Sequence, residues 1–177
     1  MLCAIAPSSS LDGKGMLPVN EKRYTVLFLC TGNSARSILA EAMLNHLGGG
    51  RFIACSAGSH PKSRPHPLAL ATLQSRGLPI DGLRSKSWEE FTRPGALPLD
   101  FIFTLCDDAA TEPCPVWPGR PVTAHWGLPD PAAVEGDDEI RRRAFDETFR
   151  LLHEHLAPFT QLLDEALDQL LTHTPAK

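Results

Sequence analysis

Apolar and polar positions along the chain fall into alternating blocks of two periods. Residues 24–29, with Tyr24, Val26, Leu27, Phe28 and Leu29, form a nearly unbroken apolar run of the kind a buried parallel strand shows. Helical spacing follows over 37–47 (Ile38, Met43, Leu44, Leu47) and stops at Gly48-Gly49-Gly50. A short second strand is predicted over 52–55, ending at Ser56-Ala57-Gly58. Pro65-His66-Pro67 then opens a second helix carrying Leu68, Ala71, Thr72 and Ser75, and Gly77-Leu78-Pro79 closes it. Ser87 ahead of Glu89 and Glu90 predicts a cap and a short helix. Residues 100–105 read as a third strand and 120–124 as a weaker fourth. From Asp137 a long terminal helix is predicted, with Ile140, Ala144, Phe145, Phe149, Leu152, Leu156 and Phe159 on one stripe. Pro158 should kink it, and Leu162, Leu163, Leu167 and Leu170 continue its apolar face.

This alternation predicts an α/β fold, a small parallel four-stranded sheet with helices on both faces. Ligands in such folds sit at the carboxyl ends of the strands. Residues 1–22 follow neither period and read as a flexible N-terminal arm, leaving 23–172 as a single catalytic domain.

Composition narrows the class. The 177 residues are 42% hydrophobic, enough for one ordinary core. The formal charge of −4 argues against a nucleic-acid or membrane-surface binder, so any anion site must be built locally. No apolar run approaches the roughly 20 residues of a membrane span, and a cytoplasmic monomer is expected. Five cysteines without framework spacing suit reduced thiols better than structural disulfides.

The chemistry concentrates where the first strand meets the first helix, at Cys30-Thr31-Gly32-Asn33-Ser34-Ala35-Arg36-Ser37. A nucleophile, a short loop and an arginine at a helix start make a cradle for a tetrahedral oxyanion. Backbone N–H groups point inward and Arg36 adds a planar fork of donors. The same positive field is expected to lower the Cys30 thiol into the range of about 3.5–7.5. Asn33 should shape the loop by side-chain hydrogen bonds or by tolerating a positive φ.

That passage closely resembles the low-molecular-weight tyrosine phosphatase fold family. The series Thr104-Leu105-Cys106, Cys114-Pro115 and His125-Trp126-Gly127-Leu128-Pro129-Asp130-Pro131 is similar to its thiol-coupled arsenate reductases. The resemblance implies that arsenate binds in the loop, with phosphate or sulfate as analogues, and that Cys30 attacks arsenic. Asp130 falls where the family keeps its general acid. Cys106 would then attack Cys30, releasing arsenite, and Cys114 would attack Cys106 to bring the disulfide outward. Residues 107–113 are expected to be the mobile loop that allows this. An external reductant, thioredoxin or glutaredoxin with glutathione, would restore the thiols. Cys114 lies one position further along than in the thioredoxin-coupled branch, which leaves the donor open. Ala35 stands where some members carry an additional thiol.

Asn33, Glu41, Ser56 and Asp81 match positions at which some arsenate reductases hold potassium, with ordinary hydrogen bonding as the alternative. His125 and Trp126 are expected to pack and orient the Asp130 loop, His66 to sit at the surface, Cys55 to fill the second strand, and Cys3 to lie in the arm. Two other functions remain open. Phosphatases of this fold usually follow Asp-Pro with tyrosine, whereas this chain has Ala132-Ala133. A non-catalytic oxyanion or redox sensor would also use such a loop.

Overall fold

The computed structural model describes residues 22–111, 115–162 and 164–173. The arm expected over 1–22 thus lies outside the described residues, apart from Lys22.

Strand β1 (Tyr24–Cys30) is buried along its whole length because it has neighbours on both edges and cover on both faces. It pairs in parallel with β2 (Phe52–Gly58) from Tyr24↔Phe52 to Cys30↔Gly58, and with β3 (Phe101–Thr104) on its other edge. The outer strand β4 (Val122–His125) pairs with β3, giving the order β2-β1-β3-β4. The fourth strand starts later than the pattern predicts because Pro121 has no N–H for the ladder. Val122 makes the first bond, its N donating to Asp100 O at 2.8 Å.

Alternation along β1 divides the core. Tyr24, Val26 and Phe28 join the helix-covered cluster, built with α1 (Arg36–Leu47), α2 (Pro67–Ser75) and α4 (Asp138–Thr160). Leu27 and Leu29 face the other way, onto Ala57, Phe91, Leu99 and Ile102. There the cover is a 3-10 turn, Trp88–Phe91, capped by Ser87, together with Leu99 and Trp117. The long helices therefore share one face, and the second face has a thin lid.

Two helical elements also differ from the pattern. Residues 107–111, expected as part of a mobile loop, form the short helix α3 (Asp107–Thr111). Two acidic residues in its first turn and two alanines after them favour that conformation. The terminal helix does not run on bent beyond Pro158. It ends at Thr160, and a separate helix α5 (Asp164–His173) follows. Proline removes one intrahelical donor, and just past it Arg51 takes up the carbonyls of Thr160 and Leu162, left open where the helix ends, at 3.1 and 2.8 Å. Tyr24 anchors α5 by donating its hydroxyl to Asp168 at 2.9 Å, and burial pushes that phenol well above its ordinary value. Ile140 and Leu170, expected in the apolar stripe, are about half exposed. Among the described residues no helix is long and apolar enough to cross a membrane.

Candidate active site

The loop between β1 and α1 is held open by its neighbours. His60 N donates to Thr31 O at 3.0 Å, Lys62 N to Gly32 O at 2.9 Å and His66 N to Ser34 O at 2.8 Å. With these carbonyls tied to the segment after β2, the loop amides are left for the pocket. The close approach requires Gly58, since a Cβ there would lie 2.4 Å from Thr31 O and 2.8 Å from Cys30 O. Helix α1 then starts at Arg36 behind Ala35, which offers no side-chain cap, so its first-turn donors also remain for a ligand.

Asn33 sits at φ 40, a left-handed backbone that asparagine tolerates, and is fully buried. Its amide is pinned on three sides. Oδ1 accepts from Lys86 N at 2.7 Å, while Nδ2 donates to Ser56 Oγ at 2.8 Å and to Ser37 Oγ at 2.9 Å. Ser56 in turn donates to Glu41, and the Lys86 ammonium donates to the same carboxylate oxygen at 3.2 Å. Lysine can only donate and the Glu41 carboxylate can only accept, so the direction of each proton along this chain is determined. Its last member, Ser37, already accepts from Asn33 and has its own hydrogen free for Cys30 Sγ, 2.9 Å away.

Cys30 is 3% exposed. Burial pushes its thiol up from the ordinary value, and Cys106 adds to the rise, against hydrogen bonds from Ser37 and the charge of Arg36. This corrects the expectation of a lowered pKa. Burial is the chief reason, and the opposing charge of Arg36 is shared, its Nη2 lying 3.1 Å from Asp130 Oδ2 and its Nη1 donating to Leu128 O at 2.9 Å. Its charge is already answered. Asp130 also accepts from Ala132 N at 3.1 Å, which places its carboxylate at the mouth of a pocket of about 280 Å³ over Cys30.

The second thiol arrives from the end of β3. Cys106 is buried, packs with Cys30 and Ala109 in one small cluster, and lies 3.6 Å from Thr31 Oγ1. Both are free thiols. Cys114 and Cys3 lie outside the described residues. The arrangement can hold a tetrahedral anion over one buried sulfur with a second sulfur beside it.

A potassium ion does not fit the four expected residues. Asn33, Glu41 and Ser56 do come together, but the cation among them is the Lys86 ammonium, itself 8% exposed. Asp81 is exposed and lines, with Glu41, a separate cavity. No cluster of three or more His, Cys, Asp or Glu suited to a metal occurs among the described residues.

The low molecular weight phosphotyrosine protein phosphatase family matches residues 25–169. The chain belongs to that family. An arsenate reductase of Bacillus licheniformis is 33% identical over 78% of this chain and 96% of its own length. A glutaredoxin arsenate reductase of Synechocystis is 35% identical over 60% of this chain and 77% of its own. A thioredoxin-dependent arsenate reductase of Corynebacterium glutamicum superposes with TM-score 0.55 and 30% identity, covering 81% of this chain and 64% of that one.

Within this low molecular weight phosphatase fold, several side chains fall elsewhere than expected. His125 packs on Gly127 of the Asp130 loop, where an added Cβ would lie 2.9 Å from its Nε2, and it also bonds elsewhere. Its Nδ1 meets Thr104 Oγ1 at 2.8 Å and its Nε2 meets Asp107 Oδ1 at 3.1 Å, which joins β4 to the start of α3 beside Cys106. Trp126 stacks between Phe103 and His155, in the core. His66 is no plain surface residue. Its Nδ1 caps α2 by accepting from Leu68 N at 3.1 Å, its ring stacks on Phe145, and burial with nearby Arg141 and Lys62 lowers its pKa. Cys55 is half-buried against the second cluster, as a strand filler should be. Sequence reasoning missed Gly58, His60, Lys62 and Lys86. The signal for the first three was Gly58 followed by a basic, proline-rich segment. For Lys86 it was a lone lysine ahead of a helix cap.

Proposed function

We propose that this chain reduces arsenate to arsenite, with Cys30 as nucleophile and Cys106 and Cys114 as a disulfide relay that thioredoxin or glutaredoxin resets. The observation that carries the reading is Cys106, a second buried free thiol packed on Cys30 beneath the oxyanion loop. Hydrolysis has no use for it. The arsenate reductases among the relatives, one thioredoxin-dependent and one glutaredoxin-linked, support both the substrate and the type of donor.

Burial favours the protonated thiol at Cys30. A hydrogen arsenate dianion bound in the loop takes its proton, leaving a thiolate that Ser37 stabilises through its hydroxyl. The thiolate attacks arsenic, and Asp130, released from Arg36 by the bound anion and protonated from solvent, protonates the departing oxygen as water. The Cys106 thiolate then attacks Cys30 sulfur. The Cys30–As bond breaks, its electron pair stays on arsenic, and arsenite leaves from a Cys30–Cys106 disulfide. Attack by Cys114 on Cys106 frees Cys30 and leaves Cys106–Cys114, which accepts two electrons from the reductant. The free thiols and the need for such a donor suit a reducing cytoplasm.

The test follows arsenate-dependent NADPH oxidation with thioredoxin and its reductase, or with glutathione and glutaredoxin. Turnover should vanish in Cys30→Ser and Cys106→Ser, and Cys114→Ser should stop after one round with Cys30 and Cys106 joined. Asp130→Asn should lower kcat by roughly 10²–10³-fold. Parental steady-state turnover in Cys106→Ser overturns the relay. Hydrolysis of an aryl phosphate without arsenate turnover overturns the reductase reading in favour of a phosphatase.

A further inference from the structure

We infer that Lys62 is a substrate-binding residue, the charge that selects a dianionic tetrahedral oxyanion over a singly charged one. The inference rests on the oxyanion pocket proposed above and names a residue outside the loop that determines its specificity.

Three observations converge on this side chain. First, its base is fixed to the loop, because Lys62 N donates to Gly32 O at 2.9 Å and His60 N donates to Thr31 O at 3.0 Å two residues earlier. Second, its stem crosses the loop where no side chain intervenes. A Cβ built on Gly32 would meet Lys62 Cε at 3.5 Å and Cγ at 3.6 Å. Lys62 thus lies across Gly32, is exposed, and lines the same pocket wall as Cys30 and Arg36. Third, Lys62 decides the sign of the pocket wall: Arg36 and Lys62 offset Asp108 and Asp130, and without Lys62 the wall would carry net negative charge against an anion. Arg36 is paired with Asp130, and Asp108 lines the same pocket as a further acid. Among the described residues Lys62 makes no ion pair, so it is the lysine or arginine of this wall not already answered by a carboxylate.

The physical consequence is a division of labour. Loop amides and the guanidinium supply directed hydrogen bonds to a tetrahedral group of either charge. A flexible ammonium at the rim acts as a point charge with little directional demand, and its attraction rises with each unit of anion charge. It also draws anions toward a chain whose overall charge is −4. Because the anchoring bond is made by the Lys62 backbone N–H, replacing the side chain leaves the loop support in place.

The experiment measures inorganic phosphate binding by titration calorimetry at pH 7.5, in parent, Lys62→Met, Lys62→Glu and Lys62→Arg. Arsenate KM and kcat are measured in parallel. Lys62→Met keeps the apolar stem and removes the charge. Its phosphate Kd should rise about tenfold, and Lys62→Glu should rise further. Lys62→Arg should stay within about twofold to threefold of the parent. Arsenate KM should follow the phosphate Kd while kcat stays within about twofold, and raising ionic strength should weaken binding more in the parent than in Lys62→Met. Phosphate binding within twofold of the parent in both Lys62→Met and Lys62→Glu overturns the inference. So does equal loss in Lys62→Met and Lys62→Arg, which would mean that the change reports structure and not charge. A drop in phosphate affinity with no arsenate turnover in the parent keeps Lys62 as an oxyanion residue and defeats the reductase reading instead.

Discussion

Cys30 and Cys106 stand at the ends of neighbouring strands and pack against each other, yet the chain around each is held in opposite ways. Around Cys30 the polar groups are buried and tied into one chain, Ser37–Asn33–Ser56–Glu41–Lys86, with the loop carbonyls bound from outside. Around Cys106 the support is a five-residue helix, a 3.6 Å contact to Thr31, and a hydrogen bond between His125 and an Asp107 that is 91% exposed. The difference follows what each sulfur has to do in the proposed relay. An oxyanion cradle stabilises charge in proportion to how little it must rearrange. A relay thiol must leave one partner and reach another within the short span a disulfide allows. The same fold thus sets a densely hydrogen-bonded pocket beside a segment with few supporting side-chain bonds among the described residues.

Breaking the rigid side should have the largest effect. Lys86→Met removes one member of a buried ion pair and leaves the Glu41 carboxylate without its ammonium. Loss of one partner of such a pair costs about 3–5 kcal/mol, on the order of 10 °C in Tm for a chain of this size. Thermal unfolding should show that loss, and adding Glu41→Gln to Lys86→Met should restore part of it. Unchanged Tm in Lys86→Met would mean that the chain of hydrogen bonds is not under the strain its burial implies. Addition of potassium to the parent protein should leave Tm unaltered, because the cation is already covalently present.

Much of this division was legible in the residues. The apolar run of β1 announced a central strand because burial on both faces and both edges leaves no polar alternation. Cys30 to Ser37 announced the anion loop because the donor groups needed there are contiguous. What stayed hidden was carried by contacts that side-chain identity does not encode. The ladder from His60, Lys62 and His66 to the loop runs backbone to backbone. The burial that raises the Cys30 pKa, and Cys106 that adds to it, come from segments far along the chain, so the rise could not be read from the loop alone. Lys86 looked like any surface lysine until Glu41, on a different element, was placed beside it. Helix α3 was too short for any period to show.

A smaller effect should appear in the chemistry of Cys30 itself. With burial raising its pKa, alkylation of the ligand-free enzyme should be slow at pH 7 and climb only above the ordinary thiol value of about 8.5. Ser37→Ala removes the hydroxyl that stabilises the thiolate, so the midpoint should move further up. The linkage has a matching sign. A thiol whose pKa is raised by folding contributes stability that is complete below the unfolded value and is lost as pH rises past it. Rapid alkylation of the empty enzyme at pH 6 would show that the loop field outweighs burial after all.

The smallest effect in stability should fall on the loosely held side, and there it should be visible in kinetics. Asp107→Asn removes the charge that His125 contacts at the start of α3, at a site exposed to solvent. Exposed pairs of this kind contribute about 0–1 kcal/mol, so Tm should barely move. The bond nevertheless joins the residue after Cys106 to β4, and α3 is too short to hold itself by internal hydrogen bonds. Opening of this segment should therefore become more frequent, and Cys106 in the reduced protein should be alkylated a few times faster while Cys30 keeps its rate. Mass spectrometry of partially labelled protein separates the two sulfurs. Equal acceleration at both would show that the two regions open as one unit, and the contrast between a rigid cradle and a mobile relay segment would fail.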